Sequence, residues 1–192
     1  MRVLWLDPRV ADQLTLLAHA ARGGDARALD AFVAASYQDV WRLCAALVDH
    51  QAADDLVQET FLRITTALRG FRGDAAARTW VLAIARRVCI DELRARTKQR
   101  GRDAALAVDR GTPAPAPDGD LAVRDLLLHL DVDRRTAFVL TQLFRLSYDE
   151  AARICECPTG TIRSRVARAR DDLIRLTSDT PTTQRVSQPE HP

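Results

Sequence analysis

The segment Gln99 to Asp120 constrains this chain more than any other, because it cannot belong to a folded core. It ends in Gly111-Thr112-Pro113-Ala114-Pro115-Ala116-Pro117-Asp118-Gly119-Asp120, and it sets three prolines and three glycines among small and charged residues. Proline removes an amide donor and glycine raises chain entropy, so neither a helix nor a packed layer is expected there. Alternating Ala-Pro favours extended, semi-stiff backbone. A structureless stretch of that length inside one compact domain is unusual. The 192 residues are therefore expected to form two small modules, 1–98 and 121–176, on a flexible linker, 99–120, with a polar, disordered tail, 177–192.

Both modules read as helical, so the fold class is all-α: two small helical domains joined by the linker. Ala, Leu and Arg dominate, and alternating β-branched runs are scarce. Periodic segments cover Val10 to Arg22, Ala26 to Val48, Ala52 to Leu68 and Thr79 to Lys98. Beyond the linker they cover Leu121 to Leu130, Asp133 to Phe144, Ser147 to Cys155 and Pro158 to Leu176. Asp25 is a candidate N-cap, and Asp133 is expected to cap the helix beginning at Arg134. Ser147-Tyr148-Asp149-Glu150 has the form of a capping box, and Pro158 suits a first helical position, where no amide donor is needed.

A net charge of +2 excludes a uniformly basic coat but not local basic faces. No hydrophobic stretch approaches the roughly 18 residues of a membrane span, and Met1 to Pro8 lacks the apolar centre of a signal peptide. A cytoplasmic chain is expected, with Cys44, Cys89, Cys155 and Cys157 as reduced thiols. Cys155 and Cys157 have no second Cys or His pair at zinc-ligand spacing.

Ser147 to Leu176 gives a short helix, a tight break and a longer basic helix, the outline of a DNA-binding helix-turn-helix. On the second helix Ile162, Val166, Ala169 and Leu173 share a stripe suited to packing. Ser164, Ala167 and Arg168 lie opposite, flanked by Arg163 and Arg165. Arginine bonds guanine bidentately, and a helix N-terminus such as that near Thr161 favours a phosphate.

The stretch Leu146 to Arg170 closely resembles the fourth region of bacterial RNA polymerase sigma factors. The match lies in Pro158-Thr-Gly-Thr-Ile-Arg-Ser-Arg165 and the following Arg168-Ala-Arg170. The resemblance implies promoter −35 recognition, with Arg163, Ser164, Ala167 and Arg168 at bases and Thr161 and Arg165 at phosphates. One departure is visible: the family turn often carries Gly where Glu156 stands. A non-glycine residue in a left-handed turn costs about 1 kcal/mol.

In the first module, Ala53, Val57, Phe61, Ile64 and Leu68 form a core stripe. Asp55, Gln58, Glu59, Leu62 and Thr66 face the other way. An apolar centre ringed by acids suits a basic partner helix. Asp54 to Arg63 resembles the sigma segment that binds the clamp helices of the polymerase largest subunit, which implies contact through Asp55, Gln58, Glu59 and Leu62. In the fourth helix the apolar face holds Leu82, Ala85, Cys89 and Leu93, while Trp80 falls beside Ala83, Arg87 and Arg94. That arrangement suits either base stacking with phosphate contact or an aromatic tucked against the preceding loop.

Phe71 to Arg86 is similar to the sigma stretch that recognises and melts the −10 element. This likeness implies that the loop with Phe71, Arg72, Asp74 and Arg78 holds a base turned out of the stack. Trp80 and Arg87 would then face bases, and Arg86 and Arg94 the backbone. The resemblance spans about Gly24 to Leu176 without sigma regions one and three, which points to the extracytoplasmic-function group. It implies core RNA polymerase and promoter DNA as partners, admits an anti-sigma factor as a third, and calls for no metal or cofactor. A dimeric helix-turn-helix repressor would explain Ser147 to Leu176 but neither Asp54 to Arg63 nor Phe71 to Trp80. An enzyme is disfavoured, because His19, His50, His129 and His191 are scattered and no nucleophile–base motif appears.

Overall fold

The computed structural model describes residues 8–105 and 125–178, and every element among them is helical. The linker 106–120, expected from composition, and the tail beyond Ser178 lie outside the described residues. Helix α1 spans Pro8–Arg22, and Gly24 (φ 98°) lets the chain reverse into α2, Ala26–Leu47. Asp25 caps α2 as expected, accepting from the amides of Arg27 at 2.9 Å and Ala28 at 3.1 Å. Helix α3, Ala53–Ala67, is entered through Asp49, whose carboxylate accepts the Ala52 amide at 2.8 Å. It closes in a 3₁₀ turn, Leu68–Gly70.

Helix α4 runs Ala77–Ala105, about 43 Å of continuous rod at 1.5 Å per residue. The expected end at Lys98 is corrected here: residues 99–105, read as linker, are helical. Gly101 costs a helix only about 1 kcal/mol, which the surrounding Arg, Lys, Gln and Ala tolerate. The Arg96–Glu92 pair at 2.6 Å braces the turn that precedes it.

In the second module α5 is Val132–Phe138, followed by one wider π turn, Val139–Leu143. Its cap is Asp131, not Asp133: the Asp131 carboxylate accepts the Asp133 amide at 3.0 Å. Helix α6 is Tyr148–Cys155 and α7 is Thr159–Ser178. Pro158 stands just before α7, its carbonyl accepting the Thr161 amide at 2.9 Å, one position earlier than expected.

Phe32, Val40, Leu43 and Leu47 of α2 pack with Val57 and Ile64 of α3 and Val81 and Leu82 of α4. Val139, Leu140, Ile154, Ile162 and Val166 form the equivalent centre of the second module. Each such side chain removed from water contributes about 1.5–3 kcal/mol. Buried hydroxyls of Ser36, Thr60, Thr136 and Thr141 donate to the carbonyl four residues back, so no polar hydrogen is left stranded on them. The two centres join into one apolar cluster, because α6 lies along α4 and α5 meets the end of α2.

Candidate nucleic-acid and partner interfaces

Helix α3 divides as its periodicity requires. Ala53, Val57, Ile64 and Leu68 are buried, joined by Leu56 and Thr60. Phe61 is half-buried, its ring stacked on exposed Tyr37 of α2 with centroids 6.3 Å apart and planes within 4°. Asp55, Gln58 and Leu62 share the solvent side, Leu62 being 65% exposed. Glu59 sits on the same strip but is bonded to Arg63 at 2.7 Å, which also reaches Asp91 of α4 at 2.8 Å. Such exposed ion pairs are worth about 0–1 kcal/mol and exchange partners readily.

The loop between α3 and α4 is pinned from α1. Arg22 donates to the Phe71 carbonyl at 2.8 Å, and the Ala77 amide donates to Thr15 Oγ1 at 3.0 Å. Gly73 has φ 80°, and a Cβ there would lie 2.7 Å from His19 Nε2. Arg72 and Asp74 are exposed at its tip.

Phe71 is 3% exposed, its ring between His19 at 5.2 Å and Trp80 at 5.1 Å. It supports the loop from inside and does not line it. Trp80 is half-buried, one part of its ring packed against Phe71 and the rest open to solvent.

The arginines of α4 differ in their surroundings. Arg78 bonds buried Asp39 of α2 at 2.6 Å and lies 5.8 Å from the Phe144 ring centre. Arg86 is largely covered, 3.7 Å from Asp133, and its Nε has no hydrogen-bond partner. Arg87 is ion-paired with Glu156, and Arg94 is exposed. Asp39 and Asp133 were invisible as partners because each lies tens of residues away in sequence. Arg135, also missed, left a local trace: it falls on the apolar stripe with Val132 and Val139. It is 7% exposed and donates to the carbonyls of Leu47 at 2.5 Å, Leu130 at 3.1 Å and Leu128 at 3.3 Å.

In the second module the capping box forms in both directions. Glu150 Oε2 accepts the Ser147 amide at 2.8 Å, and Ser147 Oγ accepts the Glu150 amide at 3.2 Å. Glu156 ends α6 in the left-handed region (φ 54°, ψ 44°), so the turn keeps the geometry that glycine would favour. Thr159 Oγ1 donates to Asp149 at 2.8 Å and fixes α7 against α6. Ile162, Val166 and Ala169 are buried, while Arg163, Ser164, Ala167 and Arg168 project into solvent. Thr161 and Arg165 are half-buried, and Arg165 is bonded to Asp133.

Titration follows these contacts. The Arg87 guanidinium holds the Glu156 carboxyl below the usual glutamate range. Burial pushes the Cys155 thiol up to about 11. Cys89, hydrogen-bonded to Cys44 at 3.6 Å and buried, is raised well above an ordinary thiol and remains a protonated core group.

The chain matches sigma-70 region 2 over residues 32–99 and sigma-70 region 4 over residues 120–173. The ECF RNA polymerase sigma factor SigC of Mycobacterium tuberculosis is 47% identical over 168 residues, covering 85% of this chain and 90% of the relative. The chain belongs to the sigma-70 family, in its extracytoplasmic-function group.

Two solved structures share its fold. CnrH in complex with the cytosolic domain of CnrY superposes with a TM-score of 0.67 at 28% identity, over 88% of this chain and 97% of the other. The sigma factor RpoE of Bartonella quintana, in complex with the anti-sigma factor NepR, gives 0.63 at 27%, over 75% and 92%. The protein is accordingly a DNA-binding initiation factor that directs RNA polymerase to promoters. Region 2 comprises most of α2, then α3 and the greater part of α4. Region 4 contains α5, α6 and the greater part of α7.

Proposed function

We propose that this sigma factor grips core polymerase through α3, reads and opens the −10 element with the 71–78 loop and α4, and reads the −35 element with α7. The assignment treats 1–98 and 121–176 as separate functional modules. Asp55, Gln58, Glu59 and Leu62 form the polymerase face, an apolar residue among acids suited to a basic clamp helix. Arg163, Ser164, Ala167 and Arg168 enter the major groove. Thr161 and Arg165 hold phosphates.

Strand opening is capture. Unstacking one base costs a few kcal/mol, offset when the base settles against the exposed loop at Arg72, Gly73 and Asp74. Arg78, Trp80, Arg86, Arg87 and Arg94 line the path of the separated strand, with Phe71 fixing the loop from behind. The protein acts by binding and not by catalysis, and its place of action is the cytoplasm, where polymerase is. An anti-sigma partner is part of the proposal, because the similar RpoE is held by one.

The observation that carries this reading is the exposure of the α7 face alongside the acid-ringed Leu62 strip, each at the residues its motif requires. Reconstitution with core polymerase and mapping of transcript starts tests it. Asp55→Lys with Glu59→Lys should abolish capture by core polymerase while the circular-dichroism spectrum stays unchanged. Full transcription by that variant refutes the α3 assignment.

A further inference from the structure

Thr15, His19 and Arg22 follow one another at helical spacing, so they form a single stripe along α1 beside the buried Leu14 and Ala18. All three meet the loop between α3 and α4. Arg22 donates to the carbonyl of Phe71 where the loop begins, and Thr15 Oγ1 accepts the amide of Ala77 where it ends. His19 acts between these points. Its ring packs on Phe71, and its Nε2 stands where a Cβ at residue 73 would fall. Gly73 holds φ 80°, a conformation that a residue without a side chain adopts readily. The stripe belongs to Pro8–Arg22, a helix that ends before the region 2 match begins at residue 32.

We infer that Thr15, His19 and Arg22 are positioning residues for promoter choice: they fix the pose in which the loop meets an unstacked −10 base, and so govern which base is accepted without touching it. The inference rests on the assignment of this loop to the −10 element. From residue 72 to residue 77 only Arg72 and Asp74 carry polar side chains, the rest being glycine or alanine. Two side chains and bare main chain can discriminate a base only if their donors and acceptors are held still, because a hydrogen bond weakens steeply with misalignment. A loop tied only by its flanking helices would spread over many poses. The α1 contacts remove that freedom at both ends and at Gly73. They grip main chain and the Phe71 ring, so their loss leaves the reading groups present but unaimed.

The test reconstitutes the full chain with core polymerase and a promoter defined by start mapping. Transcript yield is measured for every single-base change of the −10 and −35 elements. Arg22→Met and His19→Ala should each lower the preference for the favoured base at a −10 position by about three- to ten-fold, the range that one hydrogen bond or ring contact represents. Thr15→Val should do the same, while Thr15→Ser, which keeps the acceptor, should retain the parent's preference. Preferences within the −35 element and affinity for core polymerase should not change.

A role in stability alone would depress yield from all promoters in proportion. Unchanged −10 ratios in variants that still bind core polymerase therefore overturn the inference. Gly73→Ala gives an independent reading, because its methyl must push the His19 ring aside. It should lower the same base preference, and adding His19→Ala should cost little more. Strictly additive losses in that double variant overturn the role of His19. Failure of the −10 assignment itself has another signature: Arg72→Ala and Asp74→Ala would then leave every −10 ratio unchanged as well. If those two alter the ratios and the α1 variants do not, the inference alone has failed.

Discussion

Arg135→Met tests how the two modules are held together, and its magnitude can be worked from three bonds. The guanidinium is almost fully buried and donates to the carbonyls of Leu47, Leu128 and Leu130. Burial pulls its pKa down, with only the more distant Asp131 charge acting the other way. The group is a charged clip on main-chain oxygens, not half of an ion pair.

Methionine keeps the length and helix propensity but donates nothing. Three carbonyls losing a donor at about 1 kcal/mol each give about 3 kcal/mol, and the desolvation of the cation is already included in those net values. The Leu47 carbonyl ends α2, so a few tenths more come from losing a cation at a helix C-terminus.

Urea denaturation of the full chain measures the loss. With a slope of about 2 kcal/mol/M, the far-ultraviolet circular-dichroism midpoint should fall by about 1.5 M. Trp5, Trp41 and Trp80 all precede the linker, so tryptophan fluorescence reports the first module alone. Its midpoint should move less, because only the Leu47 bond belongs to that module. A dichroism shift below about 0.3 M refutes the reasoning, since the carbonyls would then have been satisfied without Arg135.

Arg168→Ala should weaken holoenzyme binding to a −35 duplex by about 1–3 kcal/mol and relax selectivity at one base position, read by fluorescence anisotropy over a set of single-base variants. Ser147→Ala should destabilise the second module by about 1 kcal/mol through loss of the hydroxyl half of the capping box, the acceptor of the Glu150 amide, seen as faster amide exchange in α6. At Asp49 burial acts upward, but Arg96 and the amides of Ala52 and Gln51 outweigh it and hold the carboxyl low. A carboxyl lower in the folded than in the unfolded chain stabilises above its unfolded value, about pH 4, and that contribution disappears as pH falls through the folded value. The melting temperature of Asp49→Asn should therefore lie below that of the parent at pH 6 and converge with it near pH 3.

Local chemistry was legible in the sequence. The Ser147–Glu150 box, the Asp25 cap, the α3 stripe and the outward face of α7 depend on spacings of three, four and seven residues, which a linear reading captures. The Asp131 cap and the extent of α4 were misread by a few positions, because competing aspartates and a tolerated Gly101 give weak boundary signals. Contacts between distant segments were not legible. Nothing near Arg78 announces Asp39, and nothing near Glu156 announces Arg87. The burial of Phe71 depends on His19 of α1, a helix that precedes both matched regions. Motif position therefore located the surfaces, while the ties that hold or cover them came only from packing.

That helix has a bearing on how promoter preference can change. The 71–78 loop takes its shape from Thr15, His19 and Arg22, none of which is assigned to DNA. With Gly73 wedged against the His19 imidazole, a larger or smaller residue at position 19 would tilt the loop without altering any of its own side chains. Two relatives with identical loops can thus present them at different angles. If the loop holds a −10 base as proposed, selection for a new start sequence has a route through residues outside the loop itself.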